Sequence, residues 1–575
     1  MRQHWSIETG IRQGISLFLL VSAAWLVQTL WWVRLELDDG YSTLVNAWYF
    51  SGGTEAFAWQ RGPLMGLLLA PVVTLAESLG IARSDVRPAH LAMVALHLLY
   101  LVATWRALVR ELGPRPAVAM AYLGAIPTVL FFSYAPFISH DLFPGLLTLW
   151  LVLAAGDYLA APLRQRWLQL LALGYLLAMV KQTYALVWPA VLLVNLVLVL
   201  ALRERGRWRA YAGLAGAALA GGALTWLSYA LALASRFPDD PWWSLPLVQA
   251  ANVVNQYAAP GVAESLFYPG VYLRNLPAHG ILAACLVLPG IALALHSGSR
   301  RLREIAGVWL LLAVCVALLG TREVRYLGFL APLTAFLVAL PIERLLRTRK
   351  ALAWPLLAIL MLDLGRAGSE AAAVANPWYA RTLPGFLAPL AAPGPATQRI
   401  LVVNSLSFVA PSGAFFGDRY HRITHVHAQH VEALFGSRER AVRAHASMDA
   451  LTNADFADGD VLLYANQVIV RAPPIQADNR TNLRADFMQI LAIADTVELR
   501  REGAAYRLNP ARGPGGNYVL VRTPAGQGLP LLASSGIAPA ELERLTGSRA
   551  LPDVLTLRAL RIASWCGAQG CRSLD

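Results

Sequence analysis

The apolar run Gly14 to Val33 is followed, five residues on, by Asp38-Asp39-Gly40-Tyr41, which opens a polar, aromatic-rich stretch ending in Trp59-Gln60-Arg61-Gly62-Pro63-Leu64. A run of about 20 apolar residues is long enough to cross a bilayer as a helix. Two carboxylates set directly beside such a helix are costly to desolvate and invite a functional explanation. The alternative is a solvated pair that caps a following helix near Ser42–Tyr49.

Outward from that stretch, composition points to the membrane. The 575 residues are 57% hydrophobic and 14% charged, with a mean hydropathy of +0.49. Further apolar segments lie at 88–106, 117–135, 142–160, 167–181, 184–202, 210–234, 279–298, 305–320, 326–342 and 351–366. The pattern is that of a polytopic α-helical protein with about eleven spans. The first segment is long enough to span, and no small-residue cleavage site follows it. The net charge of +13 is carried by arginine-rich connections at 106–115, 163–166, 203–209, 299–303 and 344–350. Membrane orientation accounts for those loops, and no nucleic-acid partner is expected.

The same loops fix a topology. With the N-terminus cytoplasmic, all five fall inside only if the apolar segment 62–82 does not cross. It is therefore expected as a juxtamembrane or partly embedded helix entered at Pro63, although Arg83 and Arg87 would then lie outside. The opposite face collects the 34–87 loop, Ser139-His140-Asp141, Lys181, the 235–278 loop and Thr321-Arg322-Glu323-Val324-Arg325-Tyr326.

After residue 366 the apolar runs stop. Residues 367–397 have the Ala, Pro and Gly content of a linker, and 398–575 that of an α/β or α+β soluble domain outside the membrane. β-like runs lie at 400–403, 461–464, 468–470 and 518–521, with helical stretches near 429–445 and 482–494. Cys285 and Cys315, inside apolar segments, are expected as small core residues. Cys566 and Cys571 could close a small disulfide loop in an oxidising compartment. His421, His425, His427 and His430 resemble a chelate, but no further ligand stands at a familiar spacing and no metal site is expected.

Several ionisable residues suit chemistry at the outer face. Asp38 or Asp39 could take a proton from a hydroxyl in a partly dry cavity. Lys181 is one of only two lysines, with Lys350, among 48 basic residues. It is either a snorkelling helix-end cation or a point charge for a phosphate oxygen. Arg322 and Arg325, with Arg61, could form a fork for phosphate, or pair locally with Glu323. Asp141 could hold His140, bind an acceptor, or cap the helix beginning near Leu142.

Taken in order, these motifs resemble the GT-C membrane glycosyltransferases, and more narrowly the bacterial relatives of protein O-mannosyltransferases and of the lipid A aminoarabinose transferase. The matching positions are Asp38-Asp39-Gly40-Tyr41, Arg61-Gly62-Pro63-Leu64, Asp141 in His140-Asp141-Leu142-Phe143-Pro144, Lys181-Gln182-Thr183-Tyr184 with Pro189, and Arg325-Tyr326-Leu327 with Pro332. The resemblance covers roughly residues 14–345. It implies transfer of a sugar, with inversion, from a polyprenyl-phosphate (undecaprenyl-phosphate type) donor to a periplasmic lipid, glycan or protein. It implies Asp38 as the base and Lys181 and Arg325 toward the donor phosphate. Asp39 replaces the usual Glu, and Gln182-Thr183 replaces Gly-Pro, so donor and acceptor identity stay open.

Tyr41, Trp48, Trp59 and Tyr326 are then candidates for the sugar cavity. Trp242, Trp243, Tyr268 and Tyr272 of the 235–278 loop are candidates for its cover. The expected location is a bacterial inner membrane, and no metal dependence is assigned. The rival class is a transporter or flippase of lipid-linked sugars, which should show inverted repeats and broken helices near mid-membrane. Neither is visible in the sequence.

Overall fold

The computed structural model describes residues 7–32, 38–53, 57, 62–81, 85–138, 140–234, 241–244, 246–247, 279–317 and 324–374, together with the backbone of strands between 400 and 573. By its contacts the chain forms two compact units. One comprises Met1–Leu30, Trp59–Leu69 and Ala89–Ala375, the other Trp31–Ala58, Ala70–Pro88 and Asn376–Asp575.

Helices form at every apolar segment. They are α1 (Ile7–Trp32), α2 (Asp38–Phe50), α3 (Pro63–Ser78), α4 (Arg87–Leu112), α5 (Pro116–Ala125), α6 (Val129–Tyr134), α7 (Phe143–Ala160) and α8 (Arg164–Val180). After these come α9 (Val187–Ala201), α10 (Trp208–Ala234), α11 (Ile281–His296), α12 (Arg300–Ala317), α13 (Ala331–Thr348) and α14 (Ala353–Val374). Among the described residues, seven helical stretches are long and apolar enough to cross a membrane. They correspond to α1, α4, α7, the turn 182–186 with α9, α10, the turn 326–330 with α13, and α14. The remaining expected spans are helical, but shorter or more polar.

Proline sets several starts. Pro63 opens α3 as expected, Pro116 opens α5, and Pro144 and Pro332 sit in the first turns of α7 and α13. A first-turn proline loses no hydrogen bond, and its fixed φ suits the helix. Proline also corrects the expected single span 117–135. Pro127 lies between α5 and α6, and Thr128 is extended at φ −88°, ψ 176°. Pro127 supplies no N–H to the helical ladder and its ring crowds the carbonyl four residues back, so the segment breaks in two.

The five arginine-rich connections meet at one end of the first unit. Arg301 pairs with both Glu111 and Asp157. Arg115 reaches Glu343 at 3.7 Å. Arg166 donates to the Asp157 carbonyl at 2.6 Å. Arg300 pairs with Glu204 at 3.1 Å and Glu304 at 3.3 Å, and donates to Asn195 at 2.8 Å. These contacts tie together the segments grouped on one side from charge alone. Arg87, which spoke against that grouping, is held by Asp85, with Nε at 2.8 Å and 2.9 Å from its two carboxylate oxygens.

Two further expectations are corrected. Cys285 is exposed and Cys315 only partly covered. A helix facing lipid is apolar on its outer surface as well, so an apolar context does not imply a core position. Helix α14 runs past 366 to Val374, with Ala367 and Ala371 buried, so the start of the expected linker is helical.

Beyond residue 400 the chain builds two five-stranded sheets. In the first, β1 (Ile400–Val403) pairs in parallel with β2 (Ile423–His425) and β3 (Val461–Ala465). β3 then pairs antiparallel with β6 (Asn517–Val521), and β6 with β8 (Leu531–Ser535). The second runs β10-β9-β4-β5-β7, built from β4 (Ala494–Arg501), β5 (Ala504–Leu508), β7 (Gly528–Leu529), β9 (Ile562–Gly567) and β10 (Gly570–Ser573). The expected run 468–470, the helices at 429–445 and 482–494, and His421, His427 and His430 lie outside the described residues.

Candidate functional site

The first unit brings four separated motifs together at the end of the bundle away from the arginine loops. Helix α8 stops at Val180, and Lys181 turns extended at φ −161°, ψ 137°. The short 3-10 helix Gln182–Leu186 follows, leading into α9. This break holds Lys181 at the junction, 3% exposed. The lysine does not snorkel, because its head group is as buried as its stem.

Lys181 Nζ lies 4.4 Å from the centre of the Tyr326 ring. The ring quadrupole attracts the ammonium. Among the described residues Nζ has no hydrogen-bond acceptor and no carboxylate partner. The neighbouring Gln182 Nε2 is also buried without an acceptor.

Asp141 and His140 are buried, at 3% and 2% exposure. Asp141, for which capping α7 was one expected role, stands one residue ahead of the cap position. The cap position is Leu142, whose side chain makes no cap bond. The Tyr184 hydroxyl instead donates to Asp141 Oδ1 at 3.0 Å. Tyr184 packs edge-on against Phe329, with ring centres 5.2 Å apart. Phe329 and Tyr326 both belong to the 3-10 helix Val324–Leu330. One short turn therefore carries Lys181's neighbour Tyr184, and a second carries the two rings that Lys181 and Tyr184 meet.

Glycines make the approach possible. A Cβ on Gly62 would stand 2.2 Å from the Met179 carbonyl oxygen and 2.3 Å from that of Val180. The chain entering α3 at Pro63 is thus pressed onto the last turn before Lys181. A Cβ on Gly145 would meet the Phe329 carbonyl oxygen at 3.0 Å, and one on Gly328 would meet Leu130 at 2.9 Å and the Asp141 carbonyl oxygen at 3.5 Å. Tyr184, Phe329 and these glycines are the contributors that motif reading passed over. The signals in the chain were the places of Tyr184 within Lys181-Gln182-Thr183-Tyr184 and of Gly62 within Arg61-Gly62-Pro63-Leu64.

The acidic pair belongs to the second unit, where α2 starts at Asp38 itself. Both acids therefore stand within the first helical turn rather than ahead of a helix near Ser42. Trp48 is buried in α2 at 3% exposure. The side chains of Asp38, Asp39, Tyr41 and Arg325, and the whole of Trp59, Arg61, Arg322, Tyr268 and Tyr272, lie outside the described residues. Trp242 and Trp243 are exposed, and the Trp243 carbonyl accepts from Trp226 Nε1 at 3.1 Å.

No protein-family model matches the sequence, and no curated protein matches it significantly. Solved structures do match in fold. ArnT from Cupriavidus metallidurans bound to undecaprenyl phosphate superposes with a TM-score of 0.56 at 13% identity, over 80% of this chain and 94% of ArnT. The apo state of the same protein gives 0.57 at 15% identity with the same coverage. The Archaeoglobus fulgidus oligosaccharyltransferase aligns over 85% of this chain and 73% of its own, at 12% identity and a TM-score of 0.45. The chain has the fold of the GT-C membrane glycosyltransferases.

Proposed function

We propose that this GT-C chain is a glycosyltransferase that moves a sugar, with inversion, from a polyprenyl-phosphate donor to an acceptor on the outer side of a bacterial inner membrane. The observation that carries the reading is Lys181. A buried ammonium without a carboxylate or carbonyl partner among the described residues loses several kcal/mol of solvation that those residues do not return. An anion brought by a ligand would restore it, and a lipid-borne phosphate is the anion that reaches membrane depth. A neighbour of this fold has been solved with undecaprenyl phosphate, which supports the same ligand class here.

The reaction is a single in-line displacement. Asp38 accepts the proton of the acceptor hydroxyl as its oxygen attacks the anomeric carbon. The bond from that carbon to the phosphate oxygen breaks, and its electron pair leaves with the lipid phosphate. Lys181, with Arg322, Arg325 and Arg61, meets the charge that develops there. Asp141, held by Tyr184, and His140 serve the acceptor side. Tyr41, Trp48, Trp59 and Tyr326 contribute aromatic surface to the sugar. About eleven crossings place the N-terminus in the cytoplasm and the C-terminal domain in the periplasm.

The test supplies purified protein with a radiolabelled polyprenyl-phosphate sugar and an envelope extract. Wild type should transfer label, while Lys181→Ala and Asp38→Asn should not. Equal transfer by wild type and either variant would remove that residue from the mechanism. No transfer by any form, together with movement of the labelled lipid across liposomes, would replace the enzyme by a transporter.

A further inference from the structure

The helices around the candidate site enclose a second feature that sugar transfer does not use. A cavity of about 270 Å³ lies between α11, α12 and α13. Its wall includes Ala284, Val287 and Leu288 of α11, Ala313 of α12, and Leu327 and Leu330 of the 3-10 turn. Small side chains create the space, and a close contact shapes it. A Cβ on Gly290 would stand 2.2 Å from the Leu337 carbonyl oxygen, so α11 and α13 touch there. The cavity opens beyond that point.

Nothing in the cavity calls for water. Three polar side chains reach it: Trp309 Nε1 donates to Thr334 Oγ1 at 2.8 Å, Thr334 donates to the Leu330 carbonyl at 3.0 Å, and His279 is likewise not free. An apolar cavity without free polar partners stays dry. Left empty, its lining would forfeit dispersion contacts. Its rim residues Leu288 and Val314 are exposed apolar side chains, the character of a bilayer-facing surface.

We propose that this cavity is a lateral binding site for one acyl chain of a membrane phospholipid. The geometry separates it from any donor bound at Lys181. A 3-10 helix has three residues per turn, so Leu327 and Leu330 share a face. That face walls the cavity. Tyr326 and Phe329 instead line a different cleft with Tyr184, Val187, Leu312 and Val316. The turn is a partition, with the candidate phosphate site on one side and the acyl site on the other. Because the partition carries Tyr326, a seated chain also supports the ring that holds Lys181.

The experiment places the full chain in bilayers of phosphatidylethanolamine and phosphatidylglycerol, with a trace of phosphatidylethanolamine bearing a diazirine on one acyl chain. After photolysis, label is mapped by peptide mass spectrometry. Wild type should carry more label on Ala284, Ala313 and Leu327 than on Leu219, a 76% exposed residue of α10. Filling the space with Ala284→Phe and Ala313→Phe should abolish the excess and leave Leu219 labelling intact. The wild-type measurement decides the matter even if that variant folds poorly. Label on the cavity no greater than on Leu219 would overturn the proposal. So would displacement of the label by added polyprenyl phosphate, which would hand the cavity to the donor's own tail.

Discussion

Lys181 and Tyr326 stand 145 positions apart in the chain and meet with the ammonium 4.4 Å from the ring centre. Neither is exposed beyond 9%. The lysine is buried against a ring face, which attracts a cation but neither accepts a full hydrogen bond nor cancels its charge. Among the described residues no carboxylate competes for it, which leaves the charge available to a ligand.

The first prediction concerns this cation. Lys181→Met should cut the initial rate of label transfer by roughly 100-fold or more, the scale of removing one preorganised charge donor. The melting temperature in detergent should hold or rise, because a buried charge with no ionic partner among the described residues has been replaced by an apolar side chain of similar length. A lower rate with an equal fall in stability would point instead to a structural lysine.

Tyr184→Phe should keep the packing on Phe329 and remove the donor to Asp141. Leaving a buried carboxylate one bond short costs about 1–3 kcal/mol. A thermal scan should show that loss, and Asp141→Asn added to the same background should cost less than it does in wild type. Independent, additive effects would mean that the bond contributes little.

Gly62→Ala should be severe. The added methyl would stand 2.2–2.3 Å from two backbone oxygens, and backbone cannot swing aside as a flexible side chain can. The end of α8 must shift, carrying Lys181 with it. Gly14→Ala, with nothing within 4 Å, is the matched control. Expression yield and transfer rate should fall for the first and not for the second.

Glu304 sits in the arginine network just before the apolar run that begins at Ile305. Burial raises its pKa to about 7, against the lowering effects of Asn195, Arg300 and Arg301. The folded form thus binds the proton more tightly than the unfolded form. Its contribution to stability is full below the unfolded carboxyl value, falls as pH rises through about 7, and is flat above. Glu304→Gln keeps a neutral group in place and should remove that part of the pH dependence. The check is the difference between wild-type and variant unfolding midpoints at about pH 5 and about pH 8. That difference cancels the neighbouring acids Glu111, Asp157 and Glu204.

Cys566 and Cys571 are direct partners in the β9–β10 register. Opposed residues of an antiparallel pair have Cα atoms about 4.5–5.5 Å apart, within the range a disulfide spans. Thiol labelling of protein purified from an oxidising compartment and then denatured should find Cys285 and Cys315 free and this pair protected until reduction.

Much of the architecture was legible along the chain because its causes are local. Apolar length marked the helices, proline marked their starts, and arginine loops marked one face before any contact was known. The scarcity of lysine singled out Lys181. The break within 117–135 was written in Pro127 but masked by the hydrophobicity around it. Asp141 stands before α7 where a cap would, and local spacing contains nothing to say that a tyrosine 43 residues away bonds to it.

Sequence alone thus supplied the inventory: which segments are helical, which face each end takes, and which charges have no local explanation. Folding supplied the pairings. Lys181 on Tyr326, Tyr184 on Asp141, Gly62 on the end of α8 and Arg301 between Glu111 and Asp157 are all contacts between distant positions. They depend on the packing of helices whose periodicity shows that they bury a face, but not which neighbour that face will meet.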